Sequence, residues 1–178
     1  MFKEFRGTQS IAVGKQDRPD PQKSLVGFVV GDIAYAVPIA SVREIVNPVP
    51  LAELPHAPAA IAGVADHRGE IVPIIDLRMR FGLPAMGDPR KSKWILIEVE
   101  GRGVGLAVDR VTEVFGKGIS EIKPPPVLGS GDDLRGISGV TTHDGTLTFV
   151  LEVGQFDVLT RNIPEESLRA SAPMRGTR

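Results

Sequence analysis

The sequence predicts an all-β protein made of two small β-barrels related by an internal repeat. Two features of the sequence support this. First, the 178 residues include 20 glycines and 15 prolines, a composition typical of short strands joined by tight turns. Second, the pattern of the first half recurs in the second half. Each copy of roughly 65 residues would be marginally stable alone, so we expect the two copies to share one hydrophobic core.

Composition excludes several classes of function. Hydrophobic residues make up 42% and charged residues 24% of the chain, and its net charge is −1, so no basic surface for nucleic acid is expected. No apolar run reaches the about 18 residues that span a membrane, and residues 1–24 lack the apolar segment of a signal peptide. Cysteine is absent, which excludes disulfides and thiolate chemistry. We expect a cytoplasmic protein without nucleic-acid partners or membrane insertion.

In chain order, the first copy begins with a hairpin. Strands at 25–30 and 33–37 are joined by a Gly-Asp turn. The segment 39–46 that follows is compatible with either a helical turn or a bulged strand. Four prolines between residues 47 and 58 predict a loop. Residues 1–24 and 161–178 are predicted to be flexible arms.

A second hairpin, at 61–83, is the clearest one in the sequence. A strand of small residues leads into the turn Asp-His-Arg-Gly, and an apolar strand at 71–77 follows it. Pro73 cannot donate a ladder hydrogen bond, so this strand is expected to lie at a sheet edge or to be bulged. Arg68 lies in the turn, where a fixed cation can pin two segments together or contact a partner.

The second copy begins near residue 94 and at first follows the first copy at a constant offset. This offset pairs Val42 with Val111 and Glu44 with Glu113. Both positions follow the first hairpin of their copy. The constant offset therefore predicts that the residues after 94 form a hairpin of the same kind.

The Asp-His-Arg-Gly hairpin recurs later at a slightly longer offset, which pairs Gly63 with Gly139 and Asp76 with Glu152. The added length fits an insertion near 129–135, in a surface loop that tolerates extra residues. The predicted domain spans 25–160. Its two subdomains lie at about 34–90 and 94–153, and segments 25–33 and 154–160 complete the fold.

The repeat suggests one catalytic hypothesis. Asp76 and Glu152 occupy equivalent positions and could form the carboxylate dyad of a hydrolase, as two acids share one proton in aspartic proteases. Those enzymes place a small hydroxyl residue and a glycine after each acid, whereas Leu77 and Val153 follow here. Strand-end carboxylates in turns or ion pairs are therefore favoured, and no catalytic residue is predicted.

The histidines offer little support for a metal. Asp66 and His67 could supply two ligands, with His143 as the equivalent residue of the second copy. No H-x-x-x-H or similar spacing accompanies them. Phosphate-loop and nucleophile-elbow motifs are also absent. The sequence therefore predicts neither a metal nor a cofactor.

Glu44 and Arg68 are the remaining candidates for function. Each is a charged residue beside apolar strand residues such as Val42 and Ile45. That combination is common in partner-binding surfaces. An internal Glu–Arg ion pair that orients the hairpin is the alternative, and the two roles are compatible.

Four segments together resemble the CheW family of chemotaxis coupling proteins. They are F-V-V-G-D-I-A-Y-A-V-P-I-A-S-V-R-E-I-V at 28–46, L-P-H-A-P at 54–58, G-V-A-D-H-R-G-E-I-V-P-I-I-D-L-R-M-R-F-G at 63–82 and V-G-L-A-V-D-R-V-T-E-V at 104–114. The resemblance covers about 25–160, and the R-G-x-x-x-P-x-x-D-L-R combination is highly specific.

The resemblance implies two SH3-like five-stranded barrels around a shared core. It also implies a non-catalytic adaptor that couples methyl-accepting chemoreceptors to a CheA-type histidine kinase in chemotaxis or motility signalling. Such an adaptor binds the cytoplasmic tip of the receptor and the regulatory domain of the kinase, within membrane-associated receptor arrays. The resemblance assigns no kinase-binding residue. It places the receptor contact in the groove between the barrels, and the candidate residues are Val42, Glu44, Ile45, Gly63, Arg68 and Val111.

The turn before Arg68 departs from the family pattern. Where the family has Asn followed by Leu or Ile, this chain has Asp66 and His67. Asp66 could pair with Arg68 and withdraw it from a partner, or His67 could change the choice of partner. A second function is therefore a divergent CheW-like module, in a pathway such as gliding or pilus motility, that binds the kinase or a related partner without classical receptor coupling.

Overall fold

The computed structural model describes residues 20, 22–116, 121–125, 136–164, 166 and 168. This part of the chain contains ten strands and only short helices. The strands are β1 Ser24–Val30, β2 Ile33–Pro38, β3 Val42–Val46, β4 Ile61–His67, β5 Glu70–Asp76, β6 Lys93–Val99, β7 Arg102–Val108, β8 Arg110–Gly116, β9 Ile137–His143 and β10 Thr146–Leu151. The α-helices are α1 Leu77–Arg80 and α2 Asp157–Thr160, and 3-10 turns occupy Ile39–Ser41, Pro89–Lys91 and Val153–Phe156.

The strands form two five-stranded sheets. Sheet I has the order β8-β1-β2-β10-β9, and sheet II has the order β3-β6-β7-β5-β4. Neighbouring strands are antiparallel except for the pairs β2–β10 and β5–β7, which are parallel. None of the helices in the described part of the chain has the length and apolar character needed to cross a membrane. The predicted all-β class with two five-stranded subdomains is confirmed.

The two sheets are copies of one another. Exchanging each strand for the one five positions away along the chain converts the order of sheet I into that of sheet II. The registers agree as well: Val26 lies opposite Val37 in sheet I, and Ile95 lies opposite Leu106 in sheet II. These two pairs are related by the same offset that pairs Val42 with Val111 in the sequence. The internal repeat is therefore a structural repeat.

The sheets exchange strands between the copies. Sheet II combines β3, β4 and β5 of the first copy with β6 and β7 of the second, and sheet I holds the remaining strands. The predicted subdomain spans, about 34–90 and 94–153, therefore do not correspond to the two sheets. Residues 93–108, in the second predicted span, lie in sheet II with β3, β4 and β5 of the first span. Conversely, β2 is in the first predicted span but lies in sheet I with β9 and β10 of the second. The cause is the parallel pairing of β2 with β10 and of β5 with β7, which joins strands from different copies.

One hydrophobic core joins the two sheets, as predicted. Phe28 and Val37 of sheet I belong to the same buried cluster as Ile75 and Leu106 of sheet II. The cluster also contains Ile163, so the packed domain continues beyond the predicted end at residue 160. Most of the two predicted arms lies outside the described residues, as does the predicted insertion at 129–135.

For the segment 39–46 and for Pro73 the sequence allows two alternatives each. The segment 39–46 combines both alternatives, because a 3-10 turn precedes β3 and a register shift between Val42 and Glu44 bulges that strand. Pro73 does not lie on an edge strand, since β5 is flanked by β7 and β4. The parallel ladder with β7 begins only at Ile74. Pro73 therefore lies just before the β5–β7 ladder, so its lack of an N–H removes no hydrogen bond from that ladder.

Gly63 allows a loop to cross close over β4. A Cβ atom at this position would lie 2.6 Å from the carbonyl oxygen of Ala52, and φ is 150°. Ala52 forms an isolated bridge with the adjacent Val64, so the loop cannot move away without breaking that bridge. Gly139 repeats the arrangement against the carbonyl oxygen of Lys123, at 2.8 Å.

We expect Gly63→Ala to lower the free energy of unfolding by about 2 kcal/mol, because the methyl group collides with backbone atoms at an unfavourable φ. Urea denaturation measures the change. Gly87→Ala is the matched control, since its Cβ would meet nothing within 4 Å. Equal stability of the two variants would contradict the close approach of the loop.

Candidate partner-binding site

Glu44 connects the two edges of sheet II. Its Oε1 atom accepts a hydrogen bond from Arg68 Nη2 at 2.9 Å, and its Oε2 atom lies 3.1 Å from His67 Nε2. Glu44 belongs to β3, whereas His67 ends β4, and these strands are the opposite edges of the sheet. The sheet therefore curls until its edges meet, and the Glu44 carboxylate joins them.

The turn between β4 and β5 holds Arg68 in an outward position. Arg68 and Gly69 have φ values of 54° and 85°, and positive φ at two successive residues is typical of a tight hairpin turn. Asp66 Oδ1 accepts a hydrogen bond from the Gly69 N–H at 2.8 Å. Asp66 therefore stabilises the turn backbone, and the hypothesis that it pairs with Arg68 is wrong because Glu44 takes that place. The Arg68 side chain is 74% exposed.

Three further charged residues, none of them a candidate from the sequence, extend this edge. Arg43 Nη1 lies 3.1 Å from Glu70 Oε2, and Arg43 Nε lies 3.2 Å from Glu98 Oε2. With Glu44, His67 and Arg68, Arg43 and Glu70 line a shallow cavity of about 270 Å³. The Arg43–Glu98 pair depends on the register between β3 and β6, and the Arg43–Glu70 pair depends on the closure of the sheet, because β5 is not a neighbour of β3. Neither is predictable from the sequence.

The structure brings together only some of the candidate receptor contacts. Ile45, beside Glu44 on β3, is an exposed apolar residue at 41%. Val42 and Val111 both pack against the shared core, and they lie in different sheets at equivalent positions. Gly63 is buried beneath the 51–52 loop. Its role is therefore in backbone packing, and the charged edge is formed by Glu44, His67 and Arg68.

Asp76 and Glu152 each cap the N-terminus of a short helical segment that follows a strand. Asp76 Oδ1 accepts hydrogen bonds from the backbone N–H groups of Arg78 and Met79, at 2.8 and 3.3 Å. Glu152 Oε1 accepts one from Gly154 N–H at 3.4 Å. The first acid ends β5 in sheet II, and the second follows β10 in sheet I. An apolar cavity of about 700 Å³ lies beside Asp76, and Glu152 does not line it. Helix capping accounts for both carboxylates.

Comparison with known proteins identifies the family. A family model described as "CheW-like domain" matches residues 24–157, which is most of the chain. The chain belongs to the CheW-like family. The resemblance seen in the sequence is thereby confirmed.

Individual relatives agree with this assignment. The chain is 30% identical over 149 residues to "Chemotaxis protein CheW" of Helicobacter pylori, covering 83% of this chain and 89% of that protein. It is 35% identical over 129 residues to "Protein FrzA" of Myxococcus xanthus, covering 70% of this chain and 78% of that protein.

A solved structure gives the same result. The crystal structure of the scaffolding protein TtCheW from Thermoanaerobacter tengcongensis superimposes with a TM-score of 0.66 at 32% identity, covering 73% of this chain and 88% of that chain. Its match agrees with two SH3-like subdomains. Together these CheW relatives support a chemotaxis adaptor role and indicate a non-catalytic protein.

Proposed function

We propose that this chain couples methyl-accepting chemoreceptors to a CheA-type histidine kinase. The observation that carries the proposal is the placement of Arg68, which is 74% exposed while its Nη2 atom is held by Glu44 at 2.9 Å. A guanidinium has five N–H donors in a fixed plane, and the bond to Glu44 uses one of them. Donors therefore remain for carboxylates or carbonyl groups of a receptor.

The surroundings of Arg68 suit a helical partner. The apolar residues Val72 and Leu96 line the same shallow cavity as Arg68, and an arginine next to apolar surface is a frequent centre of binding energy. The receptor partner would be the helical hairpin at its cytoplasmic tip. Membership in the CheW-like family supports the kinase regulatory domain as the second partner. The protein would then act in the cytoplasm at receptor arrays.

A second candidate function follows from His67. Its Nε2 atom lies 3.1 Å from Glu44 Oε2, so both oxygens of that carboxylate are engaged within the chain. Glu44 then has less capacity to accept hydrogen bonds from a receptor. This favours a divergent CheW-like module that binds the kinase or a related partner without receptor coupling.

Separate binding titrations distinguish the two candidates. Calorimetry would follow this protein with the receptor cytoplasmic hairpin and with the kinase regulatory domain, both from the same organism. Binding to both supports the coupling function, and binding to the kinase domain alone supports the divergent module. Binding to neither would contradict both.

A further inference from the structure

Sheet I carries an altered copy of the charged edge. Glu113 of β8 corresponds to Glu44, and His143 at the end of β9 corresponds to His67. His143 Nε2 lies 3.1 Å from Glu113 Oε1, the same separation as in sheet II. The next residue differs, because Asp144 stands where sheet II has Arg68. Asp144 Oδ2 lies 3.6 Å from His143 Nε2, so two carboxylates surround one imidazole.

His143 Nε2 lacks a hydrogen-bond partner. The atom is buried from solvent, and neither nearby carboxylate oxygen is aligned to form a hydrogen bond with it. The ring is fixed by stacking on Phe115, with centroids 4.0 Å apart and an angle of 9°. An unsatisfied buried polar atom is unfavourable. The ring thus keeps a coordinating nitrogen in place that forms no hydrogen bond.

The spacing of the three groups fits a small divalent cation. Zinc binds imidazole nitrogen and carboxylate oxygen at about 2.0–2.2 Å, so neighbouring ligand atoms around a tetrahedral ion are about 3.3 Å apart. The separations from His143 Nε2, 3.1 and 3.6 Å, lie on either side of this value. The ligand atoms of Glu113, His143 and Asp144 all lie within 4.8 Å of one another.

We propose that Glu113, His143 and Asp144 bind one Zn²⁺ ion, with a fourth position open to water or a partner's ligand. Glu113 and Asp144 are 56% and 83% exposed, so an ion can reach them from solvent. Within the described residues, Glu113 and Asp144 each form an ion pair with His143, so the three side chains already lie together. The equivalent edge of sheet II is not expected to bind zinc. There the Arg68 guanidinium stands in the position of Asp144 and would repel a cation. This site is independent of the adaptor role.

A zinc titration of the tag-free full chain tests the proposal. Calorimetry is expected to give one zinc ion per chain. Thermal unfolding is expected to shift upward with zinc, because an ion that binds only the folded state stabilises it. Asp144→Arg should abolish both effects. This variant should fold, since Arg68 occupies the equivalent turn position with a similar φ, 54° against 46°.

His143→Gln should also abolish both effects, and His56→Gln is the control that keeps them, because it removes a histidine outside the site. Circular dichroism confirms that each variant is folded. A wild-type chain without saturable zinc binding would overturn the proposal. So would an Asp144→Arg variant that binds zinc as the wild type does.

Discussion

Reversing the charge at Arg68 is expected to weaken binding to a receptor hairpin by about 100-fold, or about 3 kcal/mol. In Arg68→Glu the donors that face a partner are lost, and a carboxylate is placed where the partner has met a cation. Stability should change little, because the Arg68 side chain is 74% exposed and exposed ion pairs contribute little. Calorimetric titration with the receptor hairpin measures the effect.

Two controls separate a direct contact from an internal role. Arg90→Glu alters another exposed arginine beside an acid: hydrogen bonds from the Arg90 side chain and backbone lower the pKa of Asp88. It should leave receptor binding unchanged. The double variant Glu44→Arg/Arg68→Glu restores an internal ion pair with reversed charges. If Arg68 only orients the hairpin, the double variant will regain affinity, and that result would contradict a direct contact.

Asp109→Ala is expected to lower the free energy of unfolding by about 3 kcal/mol. Asp109 lies between β7 of sheet II and β8 of sheet I. Its Oδ2 atom accepts hydrogen bonds from Arg78 Nη1 at 2.6 Å and from the Gly31 N–H, in the β1–β2 turn, at 2.8 Å. Arg78 and Asp109 are only 22% and 17% exposed. Removing the carboxylate leaves Arg78 Nη1 and the Gly31 N–H without their acceptor.

Glu98→Ala is the matched control for this effect. It removes an exposed carboxylate that lies 3.2 Å from Arg43, and the loss of such a surface pair should change stability by less than about 1 kcal/mol. Urea denaturation of both variants makes the comparison. Losses of similar size would show that the Asp109 bridge does not hold the two sheets together.

The repeat made most of the fold predictable. The two offsets found in the sequence also relate the observed registers of the two sheets, and the bulges at Gly63 and Gly139 match as well. The exchange of strands between copies could not be predicted. A strand's apolar pattern records which faces are buried, and β2 shows the same pattern whichever strand lies beside it. The pairing is decided by contacts between residues far apart in the chain.

The candidate sites were predictable to different degrees. The sequence predicts Glu44 and Arg68 as candidates, and the structure is compatible with both predicted roles, since the ion pair forms while Arg68 stays exposed. His67 is a candidate from the sequence as part of the altered turn, but its contact with Glu44 is not predictable, because that contact depends on the closure of sheet II. Glu113 and His143 belong to different strands, β8 and β9, that are far apart in the chain, so no local spacing could indicate that they meet.

Kinase autophosphorylation in a reconstituted system tests the coupling function most directly. Receptor-containing membranes and the CheA-type kinase from the same organism would be assayed with and without this protein. We expect this protein to make kinase activity depend on the receptor, and we expect Arg68→Glu to lose the dependence while Arg90→Glu retains it. Kinase activity that responds to the receptor equally with and without this protein would contradict the coupling function.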